Sequence, residues 1–240
     1  MLVSLGDIHV NNQGCQSVVI KYVRSNEVWV EFQDQFKYVQ KCMAYDLIRG
    51  KIKNVYHPSV YGVGFLGAGG YDSKDPAYSY WVRMLSRCYS NRPEYLAYRD
   101  CTVDSEWHNF QSFAKWFHSI ENAMSGFELD KDILVKGNRT YGPGRCCFVP
   151  RDINILTQCK KSQRGKFLLG VRQENKKWSA RLRVNGVDTR IGLYRTELEA
   201  FEAFKAAKEA HLIAMANTYK DVLAEDVYAA LTSYTIEIGD

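Results

Sequence analysis

The sequence lacks any long hydrophobic run and any leader segment of the secretory type. No apolar stretch approaches the roughly 20 residues that a helix needs to span a bilayer, so no membrane segment is predicted. The N-terminal residues MLVSLGDIHV are too short and too quickly acidic for a signal peptide. Both absences predict a cytoplasmic protein that has no membrane partner.

The sequence also lacks the cysteine and glycine patterns of common metal and phosphate sites. Its seven cysteines are odd in number and show no C-x-x-C pair, so neither a disulfide framework nor a zinc ribbon is indicated. Cys146 and Cys147 are adjacent and cannot easily bind one metal ion in tetrahedral geometry. We therefore expect reduced, mostly buried thiols. The glycine-rich segment 62–70 is followed by no Gly-Lys-Ser/Thr, which argues against a nucleotide phosphate loop.

Positive charge is present, and it is concentrated in one stretch of the chain. The formal net charge is +5. Between Lys160 and Arg195, eleven Lys and Arg residues face only two acids, Glu174 and Asp188, which gives this stretch a charge of +9. The rest of the chain is therefore net acidic by four charges, and five acids and no base follow Lys220. Such asymmetry is typical of a phosphate-binding face.

Local patterns predict an α+β protein with a small N-terminal β unit, a helical pair, a ββα unit and a three-stranded antiparallel sheet packed on one helix. Two runs rich in β-branched and aromatic residues, 17–23 and 28–32, indicate a hairpin. Apolar residues at helical spacing indicate helices in 76–122, the second of them beginning near Ser105. The predicted domains are a small β-rich domain (1–60), a Gly-rich linker (61–75), a helical plus ββα domain (76–160), a three-strand-plus-helix domain (161–220) and an acidic C-terminal tail (221–240).

The predicted sheet near the C-terminus has one apolar and one basic face. Strands are expected over 167–173, 178–184 and 190–194, with Asn185-Gly186 as a hairpin turn. Residues alternate along the middle strand, so Trp178, Ala180, Leu182 and Val184 share one face and Ser179, Arg181 and Arg183 the other. An alanine-rich helix over 197–217, opened by the capping box of Thr196 and Glu199, is expected to cover the apolar face.

This module resembles the ethylene-response-factor type of DNA-binding domain over about 50 residues. The residues that carry the resemblance are Gly170-Val171-Arg172, Lys177-Trp178-Ser179-Ala180, Leu182-Arg183, Ile191-Gly192-Leu193-Tyr194, Thr196-Glu197 and the helix from Ala200. In that family the exposed sheet face binds the major groove, which implies DNA roles for Arg172, Arg181, Arg183 and Arg190. Lys176 and Lys177 suit phosphate contacts. Glu174 and Asp188 stand where that family is usually basic, so its sequence preference is not carried over.

Residues 127–160 resemble, more weakly, the ββα core of HNH nucleases. The resemblance implies catalytic roles for Asp130, Lys131, Asp132, Asn138 and Asn154, with Asp130 and Asp132 binding Mg²⁺ or Mn²⁺ if the protein is a nuclease. A strand is expected over Phe127–Leu134, and its alternation would place both acids on one face and Lys131 on the other. Lys131 occupies the position of the general base. A lysine, whose ordinary pKa is about 10.4, is protonated at neutral pH. The site is therefore interpreted as a degenerate nuclease site without a general base at this position.

Three functions remain open from the sequence. The first is sequence-dependent binding of double-stranded DNA on a homing-endonuclease-like architecture. The second is an active, metal-dependent HNH-type endonuclease, with His108 or His118 as an alternative source of the base. The third is a protein-binding inhibitor of a host factor. The order of units, including Tyr80-Trp81 and Leu129-Asp130-Lys131-Asp132, resembles HNH-like phage proteins, which implies a phage origin and a host cytoplasm.

Overall fold

A computed structural model describes residues 3–120, 126–158, 166–184 and 186–239. Four residues to which the sequence assigns a role, namely Lys160, Lys161, Arg164 and Asn185, lie outside these ranges. The described chain forms two compact units. The first holds residues 3–120 and 139–143, and the second holds the remainder. The helical pair therefore belongs with the N-terminal β unit, and the ββα unit belongs with the C-terminal sheet.

The class is α+β, as the sequence predicts. The strands are β1 (Ile8–Val10), β2 (Gln16–Arg24), β3 (Glu27–Phe32), β4 (Val39–Cys42), β5 (Thr102–Val103), β6 (Glu128–Asp130), β7 (Thr140–Tyr141), β8 (Cys147–Val149), β9 (Val171–Glu174), β10 (Lys177–Val184) and β11 (Val187–Tyr194). The α-helices are α1 (Ala44–Ile48), α2 (Pro76–Tyr89), α3 (Phe110–Ser119), α4 (Arg151–Thr157), α5 (Glu197–Thr218) and α6 (Glu225–Thr232). Over the described ranges, none of these helices is long and apolar enough to cross a membrane.

The first unit begins with a four-stranded antiparallel sheet in the order β1-β2-β3-β4. The predicted hairpin is confirmed as β2 and β3, which pair from Ser17 and Phe32 to Arg24 and Glu27. Every second residue of β3 is buried, namely Val28, Val30 and Phe32, because alternate side chains of a strand point to one face. These residues form a core with Val19 and Leu47.

The predicted helical pair is α2 and α3, which surround a core of aromatic rings. Trp81, Trp107 and Phe110 are fully buried, and the Trp81 indole Nε1–H donates to the Trp107 carbonyl at 2.7 Å. A helix begins at Ser105, where the second helix was predicted to start, but it is not the α-helix. Residues Ser105–His108 form a 3₁₀ turn, and the α-helix begins at Phe110, because the Asn109 side chain accepts from the Gln111 N–H and caps it there.

The glycine-rich segment, predicted to be a linker or a turn-rich edge, packs against this helical pair. A Cβ at Gly64 would lie 2.4 Å from Leu85 Cδ1, so only glycine fits that approach. The Gln111 side chain holds the segment through the Leu66 carbonyl and through both the N–H and the carbonyl of Tyr71. Residues 64–71 are thus part of the first unit's packing.

The second unit contains two hydrophobic cores that share helix α5. One core consists of the three-stranded sheet β11-β10-β9 and the N-terminal half of α5, with Ala180 and Leu182 packed near Phe201 and Phe204. The other consists of the β6–β8–α4 unit, the C-terminal half of α5, including Leu212, and α6. The expected capping box of α5 is present.

The spacing of buried residues along α5 explains how one helix serves two cores. Apart from Phe201, the buried residues of α5 recur in a stripe at every fourth position: Ala200, Phe204, Lys208, Leu212 and Ala216. A turn has 3.6 residues, so each step of four advances about 40° around the axis and the whole stripe turns through about 160°. The two halves of the helix therefore face different directions. The Lys208 Nζ, at the midpoint, lies 5.7 Å from the Phe204 ring centroid.

Residues 221–239, predicted to form an acidic tail, are packed. Val227 and Leu231 of α6 are buried in the core that contains α4. Beyond α6, Ile236 is 0% exposed and belongs to the core of the sheet, and its N–H donates to the Glu209 carboxylate at 2.7 Å. The acids of this segment remain exposed, whereas Leu223, Val227, Leu231 and Ile236 face inward.

The close approach of Gly170 to Phe204 gives a test of this packing. Gly170 has φ +71°, and a Cβ there would lie 2.1 Å from the Phe204 ring, whereas Gly186 has φ +81° and open space around it. Either Gly→Ala change strains the backbone by about 1 kcal/mol. We expect Gly170→Ala to lower the free energy of unfolding by about 1–3 kcal/mol more than Gly186→Ala does, because overpacking adds to the strain. Chemical denaturation measures both. Equal losses would contradict the Phe204 packing.

Candidate nucleic-acid interface

The sheet of the second unit separates its apolar and basic residues onto opposite faces. Ala180 and Leu182 of β10 pack toward α5, as the alternation predicts. Arg181 and Arg183 lie on the opposite, outer face. Arg190 is paired with Arg181 across the β10–β11 ladder, and Arg172 with Ser179 across β9–β10, so these arginines share the outer face. The structure thus brings together all four arginines that the sequence nominated.

The two lysines nominated for phosphate contacts lie at the turn that joins β9 to β10. Asn175 adopts the left-handed conformation (φ 54°), which closes this two-residue turn. Lys176 and Lys177 follow it and are both exposed. The lysines therefore stand at one end of the outer face, where their flexible side chains can reach beyond the sheet.

Two acids lie among the arginines and pair with them across the sheet. Asp188 lies 3.0 Å from Arg181 and 3.6 Å from Arg172, and Glu174 lies 3.3 Å from Arg190 and 3.5 Å from Arg181. Each acid therefore bridges arginines of two strands other than its own. We call these five residues the Arg–acid network.

Arg181 is at the centre of the network. Its side chain is 23% exposed and contacts both acids. Ser179, two residues earlier on β10 and on the same outer face, is 0% exposed. A hydrogen bond from Ser179 and the positive charges of Arg190 and Arg181 lower the pKa of Glu174, so this carboxyl is ionised at neutral pH. The network is consequently an alternation of positive and negative groups joined by ion pairs across the strands.

The other basic residues of the face are outside the network. The Arg183 Nε donates to the Gly186 carbonyl at 3.0 Å, and among the described residues neither Arg183 nor the two turn lysines form an ion pair. Six basic side chains and two acids leave this surface with a charge of +4. Leu193, 44% exposed and paired with Ser179, adds an apolar patch that the charge pattern did not single out.

The ββα unit is present, but its first strand is shorter than predicted. Strand β6 ends at Asp130, because the Asp130 Oδ1 accepts the backbone N–H groups of Asp132 (2.7 Å) and Ile133 (2.8 Å) and turns the chain. The expected strand to Leu134 is therefore wrong, and so is the alternation that placed Asp130 and Asp132 on one face. Burial raises the pKa of Asp130 above its ordinary value.

Lys131, at the expected general-base position, forms a structural ion pair. It is only 7% exposed. Its Nζ donates to both carboxylate oxygens of Asp132 (2.9 and 2.8 Å) and to the Asn138 carbonyl (2.7 Å), while the Asn138 side chain donates back to the Lys131 carbonyl. These contacts close the loop 131–138. An ammonium group that donates to three acceptors has no free lone pair with which to take a proton from water.

Asn154 does not join the cluster of Lys131, Asp132 and Asn138. It is buried on α4, and its Nδ2 donates to the Glu128 carboxylate, while its Oδ1 has no hydrogen-bond partner within the described ranges. Sequence reasoning missed Glu128. Its position two residues before Asp130 on β6 was the available signal, since alternate residues of a strand share a face.

The residues nominated for Mg²⁺ or Mn²⁺ do not fit a metal ion in this arrangement. The Asp132 carboxylate is engaged by the Lys131 ammonium, and the Asp130 Oδ1 is engaged by two backbone N–H groups. In the part of the chain that is described, no three His, Cys, Asp or Glu side chains lie together as a metal-binding group. His108 and His118, the alternative bases, bond to the Val103 carbonyl and to Asp75 in the first unit.

Comparisons of the chain with models of known protein families, with curated protein sequences and with solved structures found no match. The resemblances to the ethylene-response-factor domain and to HNH nucleases therefore stay predictions. The two candidate sites differ in their chemistry. One is a basic sheet face on which arginines and acids form ion pairs, and the other is a ββα unit whose polar residues bond to one another.

Two substitutions of Asp130 separate a structural role from a metal-binding role. Asp130→Asn keeps an oxygen for the two backbone N–H groups and removes a partly buried charge. We expect stability equal to or above that of the wild type, with a gain that grows as pH rises through the raised pKa of Asp130, because the native carboxyl retains its proton to higher pH than the unfolded one. Asp130→Ala leaves both N–H groups without an acceptor and should cost about 1–3 kcal/mol.

Thermal unfolding between pH 4 and pH 8 measures both variants against the wild type. The structural role is contradicted if Asp130→Asn destabilises the protein as much as Asp130→Ala does. A Mg²⁺-dependent rise in the wild-type unfolding temperature that Asp130→Asn abolishes would instead support the metal-binding role.

Proposed function

We propose that the protein binds double-stranded DNA with the outer face of the sheet β9–β10–β11, lying in the major groove. The observation that carries the proposal is the gathering of six basic side chains against two acids on one exposed face of a sheet whose other face is covered by α5. Such a local excess of positive charge attracts the phosphates that line the groove.

The dimensions of the sheet are compatible with this placement. Neighbouring strands lie about 4.8 Å apart, so the outer strands of a three-stranded sheet are separated by about 10 Å. The major groove is about 12 Å wide. Lys176 and Lys177, at the turn, would contact the phosphates at the edge of the groove, and the arginines nearer the centre of the face would contact base edges. Leu193 is able to contact a thymine methyl group.

The two alternative functions receive less support. An endonuclease requires a metal ion and a general base, and Lys131 and Asp132 are bonded to each other. A protein-binding inhibitor needs only a basic surface, and an acidic protein could bind the outer face of the sheet in place of DNA. The salt dependence of binding separates DNA from a compact acidic protein, because the affinity for duplex falls steeply as counterions are released. Sequence-dependent recognition, phage origin and cytoplasmic location stay predictions.

Replacing the turn lysines tests the phosphate contacts. We expect the wild-type chain to bind a duplex of about 20 base pairs at ~50 mM salt, where phosphate contacts are strong. The double variant Lys176→Ala/Lys177→Ala should bind more weakly, and the slope of log K against log salt concentration should fall in magnitude by about 1.8, since each lost phosphate contact removes about 0.9. Fluorescence anisotropy over a salt series measures both quantities.

The matched control is Lys51→Ala/Lys53→Ala, which removes two exposed lysines from the first unit. This variant should leave the salt slope unchanged. Absence of duplex binding by the wild type at ~50 mM salt contradicts the proposed function. Equal losses in both double variants would show that net charge, and not the sheet face, governs binding.

A further inference from the structure

The Arg–acid network distributes charge in a way that a surface evolved only to hold phosphates does not require. Arg172 on β9 reaches Asp188 on β11, and Arg190 on β11 reaches Glu174 on β9. Both ion pairs therefore span the full width of the three strands. Arg181, on the middle strand, contacts both acids. Three guanidinium groups and two carboxylates leave this centre with a charge of only +1.

This compensation weakens the attraction of the centre for phosphate. An anionic oxygen that approaches Arg172, Arg181 or Arg190 also approaches a carboxylate that lies 3.0–3.6 Å from the guanidinium group. The phosphate oxygen and the carboxylate are both negative and would lie close together. Their repulsion offsets much of the attraction to the guanidinium group. Arg183 and Lys177 lie opposite Asp188 and Glu174 in the ladders, but among the described residues neither they nor Lys176 form an ion pair. Phosphates are therefore drawn to these three side chains, and the centre faces the bases.

Base edges differ from phosphates because they present donors and acceptors side by side. In the major groove guanine offers two acceptors, N7 and O6, which match one guanidinium group, and the cytosine paired with it offers the N4 amino donor, which matches a carboxylate. Adenine has one acceptor and one donor, so it cannot take a bidentate guanidinium. An arginine flanked by carboxylates is thus complementary to a G·C pair.

We propose that Glu174 and Asp188 determine sequence specificity: they accept from cytosine amino groups beside guanines bound by the neighbouring arginines, and they disfavour binding through phosphates alone. This inference rests on the proposed function and adds the class of target, a duplex site that contains G·C pairs. The acids thereby lower the affinity for every duplex that lacks such a site, which raises the ratio of specific to non-specific binding.

The test replaces both carboxylates by neutral groups of the same shape. The full-length double variant Glu174→Gln/Asp188→Asn is compared with the wild type and with Glu202→Gln/Asp221→Asn, which removes two exposed acids that lie outside the network. Selection from a random duplex pool first gives the wild-type consensus. Dissociation constants are then measured on that site and on a duplex of A·T pairs only, and circular dichroism melts confirm folding.

We expect a wild-type consensus that contains G·C pairs. In the network variant the A·T-only duplex should bind more tightly, and the ratio of specific to non-specific affinity should fall by about tenfold or more, the size of one good base contact. The control variant should strengthen both duplexes by the same small factor. If the double variant does not fold, each single variant should lower the ratio by a smaller amount.

The possible failures are distinguishable. Absence of duplex binding by all three proteins contradicts the proposed function itself. A wild type that binds duplex but selects an A·T-only consensus overturns the specificity proposal and leaves DNA binding in place. The same holds if the network variant changes both dissociation constants by one common factor, as the control does.

Discussion

Burial of helix α5 against two cores is the interaction on which the second unit depends. Phe201 and Phe204 pack on the sheet, and Leu212 packs with the ββα unit. Burying such a side chain contributes roughly 1.5–3 kcal/mol, so the helix joins two small elements that could each bury little apolar surface alone. Because α5 covers the inner face of the sheet, the outer face is the one that this sheet can offer to a ligand. The position of the candidate interface therefore follows from the packing of this helix.

The polar residues of the second unit serve two different purposes. In the ββα unit, Lys131, Asp132 and Asn138 bond to one another and close a loop, so their charges stabilise the fold locally. On the sheet, the charges lie at the surface, where an ion pair contributes about 0–1 kcal/mol to stability. Stability alone therefore gives little reason for the Arg–acid network, and this is consistent with the role in recognition that we propose for it.

Local patterns in the sequence predicted the elements of the candidate interface well. The alternation around Leu182, the capping box of Thr196 and Glu199 and the apolar character of the inner face are properties of neighbouring residues, and each is present in the structure. The pairing of Arg172 with Asp188 could not be read in the same way. It depends on the register of two strands that do not neighbour each other and on the conformations of long side chains.

The ββα unit shows where strand periodicity fails. The run from Phe127 to Leu134 has the composition of one strand, but the Asp130 carboxylate competes for backbone N–H groups and ends the strand after three residues. The polar partners of Lys131 and Asn154 then follow from that turn and from the approach of α4. The packing of the C-terminal half of α5 against the ββα unit could not be predicted either. The alanine-rich stripe indicates a buried face, but it does not indicate which element covers each half of the helix.

Differential chemical labelling of lysine and arginine side chains, with and without a bound duplex, tests the central claim most directly. The account predicts that a duplex protects Lys176, Lys177 and Arg183 from modification, as read by mass spectrometry, while Lys51 and Lys53 of the first unit react at an unchanged rate. Protection confined to the first unit, or unchanged reactivity at Lys176, Lys177 and Arg183 under conditions where the duplex is bound, would contradict it.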